Sequence, residues 1–216
     1  RAVAVGGGSP SGDAVGGPGD GASERAGPGA AGVAAGGREI RGDDGLPGPQ
    51  EIEDCIRREN IHSPRPRLIC LELSHYRYGG IVPPFEKLKS IHALAKKNNI
   101  PIHIDGARIF NASVASGIPV SEYASAADSV MFCLSKGLSA PIGSVLAGPR
   151  KFIDLGRRIR KALGGGMRQG GILAACGLYA PEHHIDRLAD DHAAAAELAR
   201  GLREVLDRRL RVQEPE

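Results

Sequence analysis

His103-Ile104-Asp105-Gly106-Ala107-Arg108 and, further on, Phe132-Cys133-Leu134-Ser135-Lys136-Gly137-Leu138 share one design, a short apolar run followed at once by polar residues and glycine. A buried strand that ends in a turn reads this way. Asp105 and Lys136 are 136 − 105 = 31 residues apart, about one strand–helix–strand crossover of some 30 residues. A parallel crossover brings both strand ends to one edge of the sheet, the carboxyl edge, where α/β proteins place ligands. The spacing therefore predicts an acid and a lysine meeting at a single edge, with an arginine beside them.

The same alternation extends outward. Arg67-Leu68-Ile69-Cys70-Leu71-Glu72-Leu73 reads as a buried strand, and Pro83-Pro84 opens a helix with a stripe of Phe85, Leu88, Ile91, Leu94 and Ala95, closed by Asn98-Asn99. Ile100 to Ile104 and Asp128 to Leu134 are two further strands, separated by a helical stretch from Ala107 to about Ala127. Gly143 to Gly148 follows its predecessor after so short a turn that it must run antiparallel. Strand, helix, strand in this order predicts an α/β fold with a mostly parallel sheet and flanking helices.

Both ends differ from this middle. Residues 1–40 hold 13 of the 31 glycines and few large apolar side chains, so residues 1–48 are expected to be a disordered Gly/Ala-rich lead-in. Gly6-Gly7-Gly8 is expected to lack the preceding strand and following helix that a phosphate-cradling loop requires. From Pro49 the texture changes, with Ile52, Cys55 and Ile56 at helical spacing. Residues 49–150 are expected to form a partial α/β domain. Residues 151–216 are expected to be a helical segment leading to a truncated small domain, its last helix from about His183 to Arg211 with Leu188, Leu198, Leu202 and Val205 on one face.

Lys+Arg 28 against Asp+Glu 25 leaves a net charge of +3, too small to indicate a nucleic-acid partner. No apolar run approaches the roughly 18 residues of a membrane span. Cys55, Cys70, Cys133 and Cys176 form no CxxC pair, which favours buried free thiols in a reducing, cytoplasmic compartment. The 7 histidines show no metal-ligand spacing, and no metal site is expected.

An acid and an amine at one sheet edge suit pyridoxal 5'-phosphate. The lysine amine condenses with the aldehyde, and the acid keeps the pyridine nitrogen protonated so that the ring accepts electrons. On this reading Lys136 is the reactive amine, with Ser135 and Gly137 small enough to admit the ring, Asp105 is the nitrogen's partner, and Arg108 is a second cation. Each has a plainer alternative: a solvated lysine, a helix-capping aspartate and an exposed arginine. His103 is expected to be a satisfied core histidine, and His75 lies at a strand end that faces the same edge if its strand is parallel. The cluster Leu163 to Gly171, with Arg168, reads equally as an anion site or a hinge.

The words His103 to Ala112, Phe132 to Leu146, Leu163 to Gly170 and Asp186-Arg187-Leu188-Ala189-Asp190-Asp191-His192 together resemble the L-threonine aldolase family, within the aromatic amino acid beta-eliminating lyases of fold type I. The resemblance covers about Ile52 to Arg203. It implies a partial fold type I large domain that binds pyridoxal phosphate through Lys136, with Asp105, Arg108 and Ser135 around the cofactor. It also implies that Lys161 and Arg168 reach the site of an adjacent subunit in a dimer of dimers. The implied reaction cleaves L-threonine or L-allo-threonine to glycine and acetaldehyde. The family's upstream phosphate loop and late carboxylate-binding arginine have no counterpart in these words. Two other readings stay open: a non-catalytic remnant that associates with a complete subunit, and another fold type I lyase.

Overall fold

A computed structural model of the chain describes residues 2–6, 40, 42, 46–56, 66–75 and 78–205. Five strands form one sheet: β1 (Ala2–Gly6), β2 (Ile69–Glu72), β3 (Ile102–Asp105), β4 (Ser129–Cys133) and β5 (Ser144–Gly148), in the order β1-β5-β4-β3-β2. β2, β3 and β4 run parallel, whereas β5 is antiparallel to β4 and β1 to β5. The sheet is therefore mixed, with a parallel half that carries the predicted site.

Register divides the parallel half into two faces. Leu71 pairs with Ile104 and Ile104 with Val130, and this apolar row is buried under α1 (Pro49–Cys55), α2 (Phe85–Lys97) and α4 (Val120–Ser125). Ile91 of α2 and Ile102 and Ile104 of β3 are fully buried, and each such side chain contributes about 1.5–3 kcal/mol. The opposite face carries Cys70, His103 and Ser129 in one row and Glu72, Asp105 and Met131 in the next. Cys70 and Asp105 there are exposed. α2 has the ends its sequence predicts: Glu86 in the first turn, Lys96 and Lys97 in the last, and Asn98 Nδ2 donating to the Leu94 carbonyl at 2.9 Å.

Several expectations are corrected. Ala2–Gly6 pairs with β5 from Ala2↔Gly148 to Gly6↔Ser144, so a strand does precede the first glycine run. Leu46, also within the expected lead-in, is buried in the core. The remainder of the expected lead-in, residues 1, 7–39, 41 and 43–45, lies outside the described residues. The helical stretch after Asp105 is two helices, α3 (Ile109–Ser116) and α4, because Gly117 adopts φ 71° and Pro119 has no amide hydrogen to continue the first. The single terminal helix expected from His183 is likewise split. α6 (Gly171–His184) ends, the chain turns at Ile185, and α7 (Leu188–Val205) begins with Asp190 and Asp191 in its first turn. Residues 206–216 lie outside the described residues.

α5 (Arg150–Ala162) packs on β1 and β5, while α6 and α7 expose most of their apolar side chains. All four cysteines are free, but only Cys133 is buried. Among the described residues no helix is long and apolar enough to cross a membrane, and no cluster of side chains is suited to a metal ion.

Candidate active site

Asp105 is the last residue of β3, and its main-chain carbonyl accepts the Leu73 amide at 2.8 Å. Its side chain does not cap a helix as the plainer reading expected. Oδ1 accepts the Ala107 amide at 3.1 Å, which closes a local turn and holds the carboxylate at the strand end. The α3 N-cap position belongs to Arg108, which is exposed. Gly106 suits this close approach, because a Cβ would lie 3.0 Å from both the Ile109 side chain and the Met131 carbonyl.

The neighbouring strand delivers Lys136 to the same edge. Met131 lies opposite Asp105, and the Cys133 amide donates to the Ala107 carbonyl at 3.3 Å, so β4 runs alongside the turn that follows Asp105. Lys136 follows three residues after Cys133. Its loop is closed by three backbone hydrogen bonds: Leu134 N–H to Gly143, Ala140 N–H to Leu134, and Ser139 N–H to Lys136 at 2.8 Å. Ser135 and Lys136 are both exposed. Among the described residues no hydrogen bond or ion pair engages the lysine ammonium.

Electrostatics on the open face centre on Asp105. Burial lowers His103 below its ordinary 6.5, and the Asp105 carboxylate opposes that shift. Cys70 is exposed as a residue, but partial burial on the sheet face raises its thiol, and the same carboxylate raises it further. His103 is satisfied as expected, with Nδ1 2.9 Å from the Ser129 hydroxyl. His75 does lie at the same edge, since β2 is parallel to β3, and its Nε2 is 3.5 Å from Glu72.

The remaining predicted residues lie elsewhere on the surface. Lys161 is in the last turn of α5, its chain folded against Gly166, and Arg168 is on the loop before α6; both are exposed. The structure brings Asp105, Arg108, Ser135 and Lys136 to one edge and records no contact from Lys161 or Arg168 to that group.

Sequence reasoning missed three residues behind the lysine loop. His184, at the end of α6, donates from Nδ1 to the Leu138 carbonyl at 2.7 Å, and Asn111 Nδ2 meets His192 Nε2 at 3.2 Å beside Gly137. These partners are 46 and 81 residues apart in the chain. Asn111 stood out as a polar residue among apolar neighbours, whereas His184 and His192 lie in polar stretches that carry no such signal. A cavity of about 390 Å³ opens behind this loop, between Ser139–Pro141 and the Cys176, Tyr179 and His184 side of α6.

Comparison with known proteins places the chain in a family. Residues 22–214 match the model of the beta-eliminating lyases. A probable low-specificity L-threonine aldolase 2 from Arabidopsis thaliana is 50% identical over 163 residues, which is 74% of this chain and 45% of that protein. A low specificity L-threonine aldolase from Escherichia coli K12 is 47% identical over 149 residues, 69% of this chain and 44% of that protein. A solved structure of a candidate L-allo-threonine aldolase from Listeria monocytogenes superposes with a TM-score of 0.66 at 25% identity, covering 76% of this chain and 44% of the other. The chain thus spans less than half the length of these relatives. With its mixed sheet and flanking helices, the chain belongs to the beta-eliminating lyase family.

Proposed function

We propose that this chain is the lysine-bearing part of a pyridoxal phosphate-dependent lyase that cleaves L-threonine or L-allo-threonine to glycine and acetaldehyde. The observation that carries the reading is the parallel register of β3 and β4, which delivers Asp105 and the Lys136 loop to one sheet edge. The donor set fits the cofactor's chemistry: an exposed primary amine for an aldehyde, a carboxylate for a ring nitrogen, and a guanidinium on the turn between them. Relatives named as threonine aldolases support the substrate class.

Pyridoxal phosphate, when bound, accepts the electron pair of the carbon–carbon bond that breaks. Lys136 supplies the amine that tethers it, and Asp105 keeps a proton on the pyridine nitrogen. The turn closed by the Ala107 amide holds the Asp105 carboxylate at the strand end. Arg108 is the second cation beside the cofactor, and Ser135 admits the ring because its side chain is small. Lys161 and Arg168, exposed beyond this edge, are proposed to contact the cofactor of an adjacent subunit in a homo-oligomer, a dimer of dimers. The protein is proposed to act in the cytoplasm, in threonine breakdown and glycine formation, without a nucleic-acid or membrane partner.

The test is incubation of the protein with pyridoxal phosphate and each threonine diastereomer, with glycine and acetaldehyde measured together. Equimolar release, lost in Lys136→Ala, is expected. A wild-type protein that binds the cofactor yet releases neither product would overturn the reaction in favour of a non-catalytic remnant, a reading that the aldolase relatives do not favour.

A further inference from the structure

We infer that His184 and the Asn111–His192 pair are positioning residues that hold the Lys136 loop from behind, so that the two C-terminal helices set where the lysine stands. The inference rests on the assignment of Lys136 above for its catalytic meaning, but the contacts themselves stand without it. Leu138 is buried, and its carbonyl accepts His184 Nδ1 at 2.7 Å. A carbonyl only accepts, so His184 carries its proton on Nδ1. Gly137 is held on its other side. A Cβ there would lie 2.7 Å from Cδ2 of the fully buried Leu188 and 3.4 Å from Asn111 Oδ1. Asn111 is in turn fixed by His192, whose Nε2 accepts from the amide when Nδ1 bears the proton.

The two residues that follow Lys136 are therefore each clamped by a different helix, Leu138 by α6 and Gly137 by the start of α7. The lysine side chain stays exposed while its backbone is fixed by the Ser139 amide and the helices. Such an arrangement leaves a long side chain free to reach and return while its Cα stays in place, which is what a tethering amine needs. α6 and α7 acquire a role beyond leading to another domain.

The test compares wild type with His184→Ala, His184→Asn and Asn111→Ala. An asparagine amide at the δ position can replace the lost donor. Hydrogen–deuterium exchange at the Ser139 and Ala140 amides is expected to rise about tenfold in His184→Ala and Asn111→Ala and to return toward wild type in His184→Asn. Attachment of pyridoxal phosphate to Lys136, trapped by borohydride and located by peptide mass, should slow in the same order. Unchanged loop exchange in both alanine variants would overturn the inference. So would a rise equal to that in the Ile102–Asp105 strand, which would mean only general loss of stability. If wild type itself attaches no cofactor at Lys136, the proposed function fails, and the exchange arm still decides whether the helices hold the loop.

Discussion

The parallel half of the sheet and the last two helices, α6 and α7, both carry large apolar side chains, yet these meet opposite fates. Over β2–β4, the apolar row Leu71, Ile104 and Val130 finds its cover within the chain, under α2 and its neighbours. Over α6 and α7, Ile172 is 81% exposed, Leu178 74% and Val205 80%. Two of the exceptions touch the lysine loop, Leu188, which is fully buried, and Ala180, which is 1% exposed; a third, Ala199, is buried farther along α7. Among the described residues α6 and α7 are thus anchored at the lysine loop and, through α7, against α3. An apolar stripe predicts a helix well, but it does not say where the covering surface will be found.

Four substitutions break or sharpen this contrast. The largest effect is expected at Ile91→Ala, which empties a fully enclosed site in the covered half and should cost about 2–5 kcal/mol in denaturant unfolding. Gly137→Ala forces a methyl group against Leu188 where the two regions meet, and should cost about 1–3 kcal/mol by the same measurement. Ile172→Ser, on the uncovered side, should move stability by no more than about 0.5 kcal/mol. A loss at Ile172 as large as that at Ile91 would show the helix face to be buried in solution, and sedimentation would then report an assembly.

The smallest effect concerns the open face of the sheet. Burial holds His103 below 6.5, with the Asp105 carboxylate partly offsetting it. The unfolded chain therefore takes up a proton that the folded one refuses, so stability falls as pH drops from 6.5 through the lowered folded value. His103→Asn, which keeps a donor toward Ser129, should flatten that part of the curve in thermal melts at stepped pH. An unchanged slope would assign it to other groups.

The parallel half was legible because its signals are local. The β3 alternation, the α2 stripe and the short turn that makes β5 antiparallel each sit within a few residues. Gly117 and Pro119 also mark the α3–α4 break locally, but the continuing small residues masked it. Ala2–Gly6 has the alternation of a strand, hidden by the glycine-rich composition around it. The break between α6 and α7 was not legible. It places Leu188 against Gly137, and a contact 188 − 137 = 51 residues apart leaves no periodic trace. The shared edge of Asp105 and the Lys136 loop was legible because adjacent strands carry them, whereas His184, Asn111 and His192 were not singled out because only tertiary packing brings them to the loop.

The proposal that Asp105 and Lys136 converge on one cofactor ring is tested most directly by borohydride reduction of the protein with pyridoxal phosphate, followed by mapping of the modified lysine in wild type and Asp105→Ala. The account predicts a single modified residue, Lys136, and a yield that falls sharply when the carboxylate is removed. Modification spread over surface lysines such as Lys151 and Lys161, or a Lys136 yield indifferent to Asp105, would contradict it.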